Sequence, residues 1–371
     1  MSLSGQWVGR YSNSNSGTLV IDIDDASDYY EGTACVWDDN AQLPSSLVRF
    51  KTSSKANSHK LDNLPNVPMN AAGYFLLENV LQQLAAKGFG IAATVNVEVA
   101  LQGKNLSVTW STPVGTAGGG TVITPKTRGG EKSELKPLPI KTWNGFKKYV
   151  TGLAPKRFIF RGQENSEWRL RTSFYRTGRA NLERYQLDDI KDLQKALSPL
   201  TRYPLNLSDG LQYGAFLNLA QHHGYPTPLL DWTWSPYVAA FFAFRNLRGK
   251  LAPKGGCVRI FKLDVVEWNK VLHFDKVFPA PPHVSVLDAL AYENIRATPQ
   301  QSISTTTNVD DIETHIQTVE ALRATKYLEA IDLRATDRQE VMRELALMGV
   351  TAGSLFPGLD GTCESLRERN F

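Results

Sequence analysis

Hydrophobic and polar positions alternate through most of the first 125 residues. "QWVGRY", "GTLVIDID", "YYEGTACVWD" and "SLVRF" are short runs of strand-forming residues separated by Asn, Ser, Gly and Asp. "TVNVEVALQGKNLSVTWST" holds two more such runs around a turn at Gln102–Asn105. Strands at this spacing predict an antiparallel β-barrel or sandwich. One stretch breaks the period. In "GYFLLENVLQQLAAKGFG" the apolar positions Phe75, Leu76, Val80, Leu81 and Leu84 follow helical spacing and Gly88 marks the stop, so a helix is expected to plug or cover one end of the sheet.

Beyond "TPVGTAGGGTVITPKTRGGEKSELKPLPI", a last strand running into a Gly, Pro and Lys-rich linker, the pattern changes. The boundary is expected near residue 130, dividing a β-rich N-terminal domain (1–130) from a second domain (131–371). In the second part "NLERYQLDDIKDLQKAL" and "SDGLQYGAFLNLAQHHG" are amphipathic, with Ser208 as the expected N-cap and Gly224 as the stop of the latter. "SPYVAAFFAFRNL" is apolar nearly all round, capped by Ser235 with Pro236 at the first helical position, and predicts a buried helix. "GGCVRIFKLDV" and "KYLEAIDL" read as strands, and "DRQEVMRELALMG" as a helix ended by Gly349. The order is α+β, without the regular alternation of a doubly wound sheet.

Charge sharpens this picture. Net charge is only +4, yet residues 126–184 carry 15 Lys or Arg against 5 Asp or Glu. Such a stripe suggests an anionic partner, RNA or DNA or a phosphate-bearing ligand; a solvated linker and strand edge is the alternative. Three cysteines stand far apart without a CxxC pair, which fits a reducing cytosol, and no apolar run is long enough for a membrane helix. A cytoplasmic protein with no membrane partner is expected.

Familiar catalytic motifs are missing. The chain has no GxxxxGK[ST] loop, no GxSxG elbow and no HExxH, and neighbouring His222 and His223 would point apart on a helix, so no metal site is expected. Three other places attract attention. "FIF" ends on Arg161–Gly162; a guanidinium offers a two-pronged fork for phosphate oxygens, and the glycine would let a ligand approach the backbone. The alternatives for Arg161 are an ion pair with Glu164 or with Asp231. "QHHGYPTPLLDWTWSP" sets Asp231, Thr233 and Ser235 among Tyr225, Trp232 and Trp234, either an orienting pocket for a flat polar ring or a core with a helix cap. "YENIRATPQQSISTTT" places Arg296, Gln300 and Gln301 before a Ser/Thr-rich strand.

Phe160-Arg161-Gly162, Gln221-His222-His223-Gly224, "TPLLDWTWSPYVAAFFA" and "LALMGVTAGSLFPGLDG" occur in that order between about residues 140 and 365 and resemble the FRG domain of bacterial proteins. FRG domains look distantly similar to the ADP-ribosyltransferase fold, and some occur in toxin or phage-defence settings. The resemblance implies NAD as cofactor, Arg161 on its pyrophosphate, and Gly162, Gln163, His222, Tyr225, Trp232 and Arg296 around it, with Tyr225 and Trp232 near the nicotinamide. Thr233, or Ser235, matches the hydroxyl that contacts the ribose. Gln301 falls near the position where that fold has a glutamate; glutamine can orient but cannot neutralise, so Asp231, Glu293 or Glu340 would supply the carboxylate. The implied function is that of an NAD-dependent ADP-ribosyltransferase or NAD glycohydrolase, as a toxin or antiviral effector with an antitoxin or phage protein as partner and RNA or DNA as acceptor. A non-catalytic nucleotide- or partner-binding module is the alternative.

Overall fold

A computed structural model describes residues 2–12, 15–113, 120–247, 256–271, 273–274 and 276–371. Eight strands, β1 (Gly5–Ser12), β2 (Ser16–Asp25), β3 (Tyr30–Asp38), β4 (Ser45–Lys51), β5 (Ser58–Met69), β6 (Thr94–Gln102), β7 (Asn105–Ser111) and β8 (Gly120–Pro125), pair antiparallel in chain order. A bridge between Trp7 and Lys126 brings the ends of the sheet together, which leaves it a nearly closed barrel and resolves the choice between barrel and sandwich. Trp7, Leu19, Ile21, Ile23, Leu106, Val108 and Val122 fill the interior, as the period of two requires. β5 escaped the sequence reading: its prolines and a register shift between Leu61 and Leu64 break the alternation.

The expected helix forms at Glu78–Ala86 but plugs nothing. It buries none of its residues, and Tyr74, Phe75 and Leu77 before it are exposed. The strands' own side chains already fill the barrel, so no room remains for it.

A second antiparallel sheet has the order β12 (Val284–Leu287), β13 (Ser302–Thr307), β10 (Leu229–Thr233), β9 (Phe158–Gln163), β11 (Cys257–Asp264), β14 (Leu328–Arg334). On one face lies the helix Pro236–Phe244, buried along most of its length and capped as expected by the Ser235 side chain, which accepts from the Val238 N–H at 3.3 Å. The helix Gly210–His222 is capped by Asp209 rather than Ser208, because a carboxylate one residue on meets the Gln212 N–H at 2.9 Å. "NLERYQLDDIKDLQKAL" is helical with a widened π-turn over Tyr185–Asp189. Among the described residues no helix is long and apolar enough to cross a membrane.

The two sheets are joined by core and by charge. Outward-facing Val20, Cys35, Trp37, Leu47 and Met69 of the barrel pack against Phe174, Tyr175, Leu182 and Phe216. Around that apolar seam, Arg49 pairs with Glu183 (2.6 Å), Arg179 with Asp24 (2.9 Å) and Arg184 with Glu31 (2.5 Å). Gln6 donates to Asp22 (2.9 Å) and to the Asn308 carbonyl (2.8 Å), while its own carbonyl oxygen accepts from the Asp310 N–H (2.8 Å). Burial pushes the Asp22 carboxyl up to about 8, with Asp24 and Asp310 adding and Gln6 opposing.

Candidate functional site

The site begins where β9 and β10 part. Their antiparallel pairing is limited to one residue pair, Thr233 opposite Phe160, so Arg161 to Gln163 continue without a β10 partner. Into this gap Arg161 reaches across, its Nη1 donating to the Asp231 carbonyl at 2.6 Å. A cleft of about 950 Å³ opens there, within the size range of small-molecule and cofactor sites.

Gly162 holds the floor of this cleft in place. A Cβ at residue 162 would lie 1.9 Å from the Ala239 carbonyl oxygen and 2.8 Å from the Ala243 nitrogen. Gly162 therefore admits the helix Pro236–Phe244 to the back of the strand, which corrects the expectation that it admits a ligand. The small faces of Ala239 and Ala243 complete that close approach.

Arginine 161 is unlike most of its neighbours in sequence. Eight of the fifteen cations in 126–184 form ion pairs with acids, among them Arg169 with Asp311 (2.7 Å) and Arg171 with Asp310 (2.5 Å). About half of the stripe is thus neutralised within the fold. Among the described residues, Arg161, Arg176 and Arg296 line the cleft without an ion-pair partner. Glu164 does not pair with Arg161; it accepts from the Asn246 amide at 2.6 Å. Burial brings the Arg161 pKa down to about 10, with Arg176 adding and Asp231 opposing, so the group stays charged at neutral pH at an energetic cost. Its Nε and the Gln163 Oε1 are both buried without a hydrogen-bond partner.

Asp231 opens on the cleft beside this cation. Burial by the surrounding walls raises its pKa, and Arg161, the Gln221 amide and Arg176 pull it back. Gln221 donates Nε2 to Asp231 Oδ1 while its Oε1 accepts from the Thr227 hydroxyl, so both ends of one amide are fixed. His222 also lines the cleft, held towards the neutral form first by burial and then by Arg296 and His223. Arg296 and Arg245 flank the Phe356 ring at 5.3 and 4.3 Å, and Arg245 is further bound by Glu364 at 2.7 Å.

Four expected residues are placed differently. Thr233 lines the cleft, but its hydroxyl donates to the Gln300 carbonyl (2.7 Å) and accepts from the Ser235 N–H (3.0 Å), tying the end of β10 to the turn before β13. Trp232 borders the cleft but is almost wholly buried in the core, its indole N–H on the Thr305 hydroxyl at 3.1 Å. Tyr225 packs beside Tyr185, with ring centroids 6.4 Å apart, and does not line the cleft. Gln301 is exposed at φ 48°, with its carbonyl accepting from the Trp234 N–H, while Gln300 faces the cleft instead. Nor do the other carboxylates reach in: Glu293 caps the Arg202 N–H at 2.8 Å and Glu340 is exposed on the helix Arg338–Leu347.

Arg161, Gly162, Gln163, His222, Asp231 and Arg296 do meet in the cleft. Sequence reasoning passed over Trp168, Arg176, Asn218 and Phe356, which join them. Only Trp168 gave a signal, as a large aromatic in a polar segment, "ENSEWRLR".

Residues 156–250 match the family model of the FRG domain. The match is shorter than the span of the motifs. It contains Arg161, Arg176, Gln221 and Asp231 and stops before Arg296 and Phe356. No curated protein and no solved structure matches the chain.

Proposed function

We propose that the FRG domain of this chain binds NAD in the cleft between β9 and β10 and cleaves its nicotinamide–ribose bond. Arg161 receives the diphosphate and Asp231 stands at the reacting ribose. The observation that carries the reading is Arg161 itself, a cation held in the cleft wall with an unused Nε and no acid partner among the described residues. A bound phosphate oxygen supplies the missing acceptor and relieves the cost of burying the charge.

Cleavage breaks the C1′–N bond, whose electron pair leaves with the nicotinamide ring, and positive charge builds on the ribose. Asp231, ionised and oriented by Gln221, stabilises that charge in the role that Gln301 cannot fill. The incoming oxygen of water or of an acceptor bonds to C1′ and gives its proton to Asp231. In this reading the chain is an NAD glycohydrolase or ADP-ribosyltransferase, acting as a bacterial toxin or phage-defence effector. The internal pairing of the basic stripe takes away the main argument for a nucleic-acid acceptor.

The test is labelled NAD incubated with the protein alone and with RNA, DNA or protein acceptors, following nicotinamide release and label transfer. Asp231→Asn is expected to bind ADP-ribose and to release nicotinamide roughly 10²–10³-fold more slowly. Equal release by wild type and Asp231→Asn, or a wild type that binds no NAD, sinks the proposal. One second reading has its own observation: the engaged Thr233 hydroxyl and outward Gln301 leave a cleft suited to holding a nucleotide without turning it over. Tight NAD binding with no release by the wild type favours that sensing role.

A further inference from the structure

The cleft continues past Arg161, away from Asp231, into a part that the proposed bond cleavage does not use. In the sheet, β10 with Asp231 lies on one side of β9 and β11 on the other. The loop leaving β9 is tied to the β11 side, its Ser166 N–H donating to the Cys257 carbonyl at 2.9 Å. It is then held by Ser133 N–H to the Glu167 carbonyl (2.8 Å) and by a bridge between Lys132 and Trp168. Arg169, the next residue, is buried and bound to Asp311. The backbone of Trp168 is therefore fixed, yet its side chain is 53% exposed and lines the cleft beside Gly129 and Gly130.

A single exposed tryptophan is ordinary by itself. What gives this one a direction is Gln163. Two residues on from Arg161 in an extended strand, it shares the face of Arg161, and its Oε1 is a buried acceptor with no donor. Passing from β10 across β9 to the loop, the wall offers a carboxylate, a guanidinium, an orphan amide oxygen and an indole. A nucleotide presents matching groups in one order: a reacting ribose, a diphosphate, a second ribose with hydroxyl donors, and a base.

We infer that Trp168 is the stacking platform of an adenosine subsite, with Gln163 accepting from the adenosine ribose or the adenine amine, so that the dinucleotide runs from Trp168 over Arg161 to Asp231. The inference rests on the nucleotide reading above and adds to it the direction in which the ligand lies. Aromatic platforms of this kind bind bases through their π-faces, and Gln163 adds the hydrogen bond that a stack lacks.

Calorimetric titration of wild type, Trp168→Leu and Gln163→Leu with AMP, ADP-ribose and nicotinamide mononucleotide is the test. Trp168→Leu is expected to weaken AMP and ADP-ribose by roughly tenfold or more, with nicotinamide mononucleotide unchanged and the melting temperature unaltered. Gln163→Leu should weaken AMP and ADP-ribose in the same sense by a smaller factor. Unchanged AMP affinity in Trp168→Leu, equal weakening of AMP and nicotinamide mononucleotide, or no AMP binding by the wild type overturns the subsite. The catalytic reading is decided separately by nicotinamide release at saturating NAD. AMP binding that depends on Trp168, without any release, leaves the subsite standing and removes the enzyme.

Discussion

Arg161 and Arg169 lie eight residues apart and do opposite things. Arg169 is buried in the wall of the same cleft, 2% exposed, against the start of the helix Ile312–Arg323, with Asp311 at 2.7 Å and Glu313 at 4.0 Å. Arg161 lines the cleft with one backbone carbonyl as its partner and no acid among the described residues. A paired buried cation belongs to the fold, because removing it strands its acids. An unpaired one is a standing cost that an anionic ligand removes. The contrast extends to Arg171, Arg179 and Arg184, each bound to an acid, against Arg176 and Arg296, each without one among the described residues. One set of arginines is thus neutralised by the fold and the other is left open, and the cleft wall holds members of both.

The largest expected effect is on the neutralised set. Arg169→Ala leaves Asp311 and Glu313 buried without their cation, and urea denaturation is expected to show a loss of ~3–5 kcal/mol. A loss under 1 kcal/mol would mean that the fold does not depend on this pair. Gly162→Ala comes next. The added methyl collides with the Ala239 carbonyl, and overpacking of this kind costs ~1–3 kcal/mol, read as a lower melting temperature; an unchanged melting temperature would restore the idea of glycine as ligand access.

Arg161→Ala should divide the two sets most sharply. Stability is expected to change by less than ~1 kcal/mol, since no carboxylate is stranded, while ADP-ribose affinity falls by ~1.5–3 kcal/mol, the worth of hydrogen bonds to a charged group. Equal losses in stability and binding would place Arg161 with the arginines that hold the fold together. The smallest effect concerns pH. Asp22 has its folded pKa raised to about 8, so the native state holds a proton that the unfolded chain releases, and stability falls as pH rises towards 8. Buried His283 and His315, lowered to about 3 and about 4, act in the opposite sense below the ordinary histidine pKa of about 6.5. Between about pH 6.5 and 8 Asp22 therefore acts without them, and denaturation across that window should show a fall of about 1 kcal/mol that Asp22→Asn abolishes.

Much of the candidate site was legible one residue at a time. The end of a strand at Arg161, the buried helix after Ser235 and the carboxylate of Asp231 among apolar neighbours are local facts of sequence, and each is found in the structure. Their partners were not legible. Thr233 was read as a free hydroxyl because nothing in its own segment shows the Gln300 carbonyl, 67 residues away, that takes its proton. For Trp232 the sequence leaves pocket and core open together, because alternation tells which residues share a face but not which face is buried; the ring is buried in the core and borders the cleft. The pairing of the basic stripe was hidden for a related reason: several of its acids lie in other segments, such as Asp24, Asp264 and Asp311.

The sequence by itself determined the period-two strands of the first region, the mixed second region, the caps at Ser235 and Gly349 and the choice of residue types around Arg161, since these follow from interactions within a few residues along the chain. Tertiary structure alone decided which arginines were neutralised, which hydroxyls were spent and which aromatics faced the cleft. Those outcomes depend on groups tens to hundreds of residues apart, and only the packed sheets bring them within hydrogen-bonding distance.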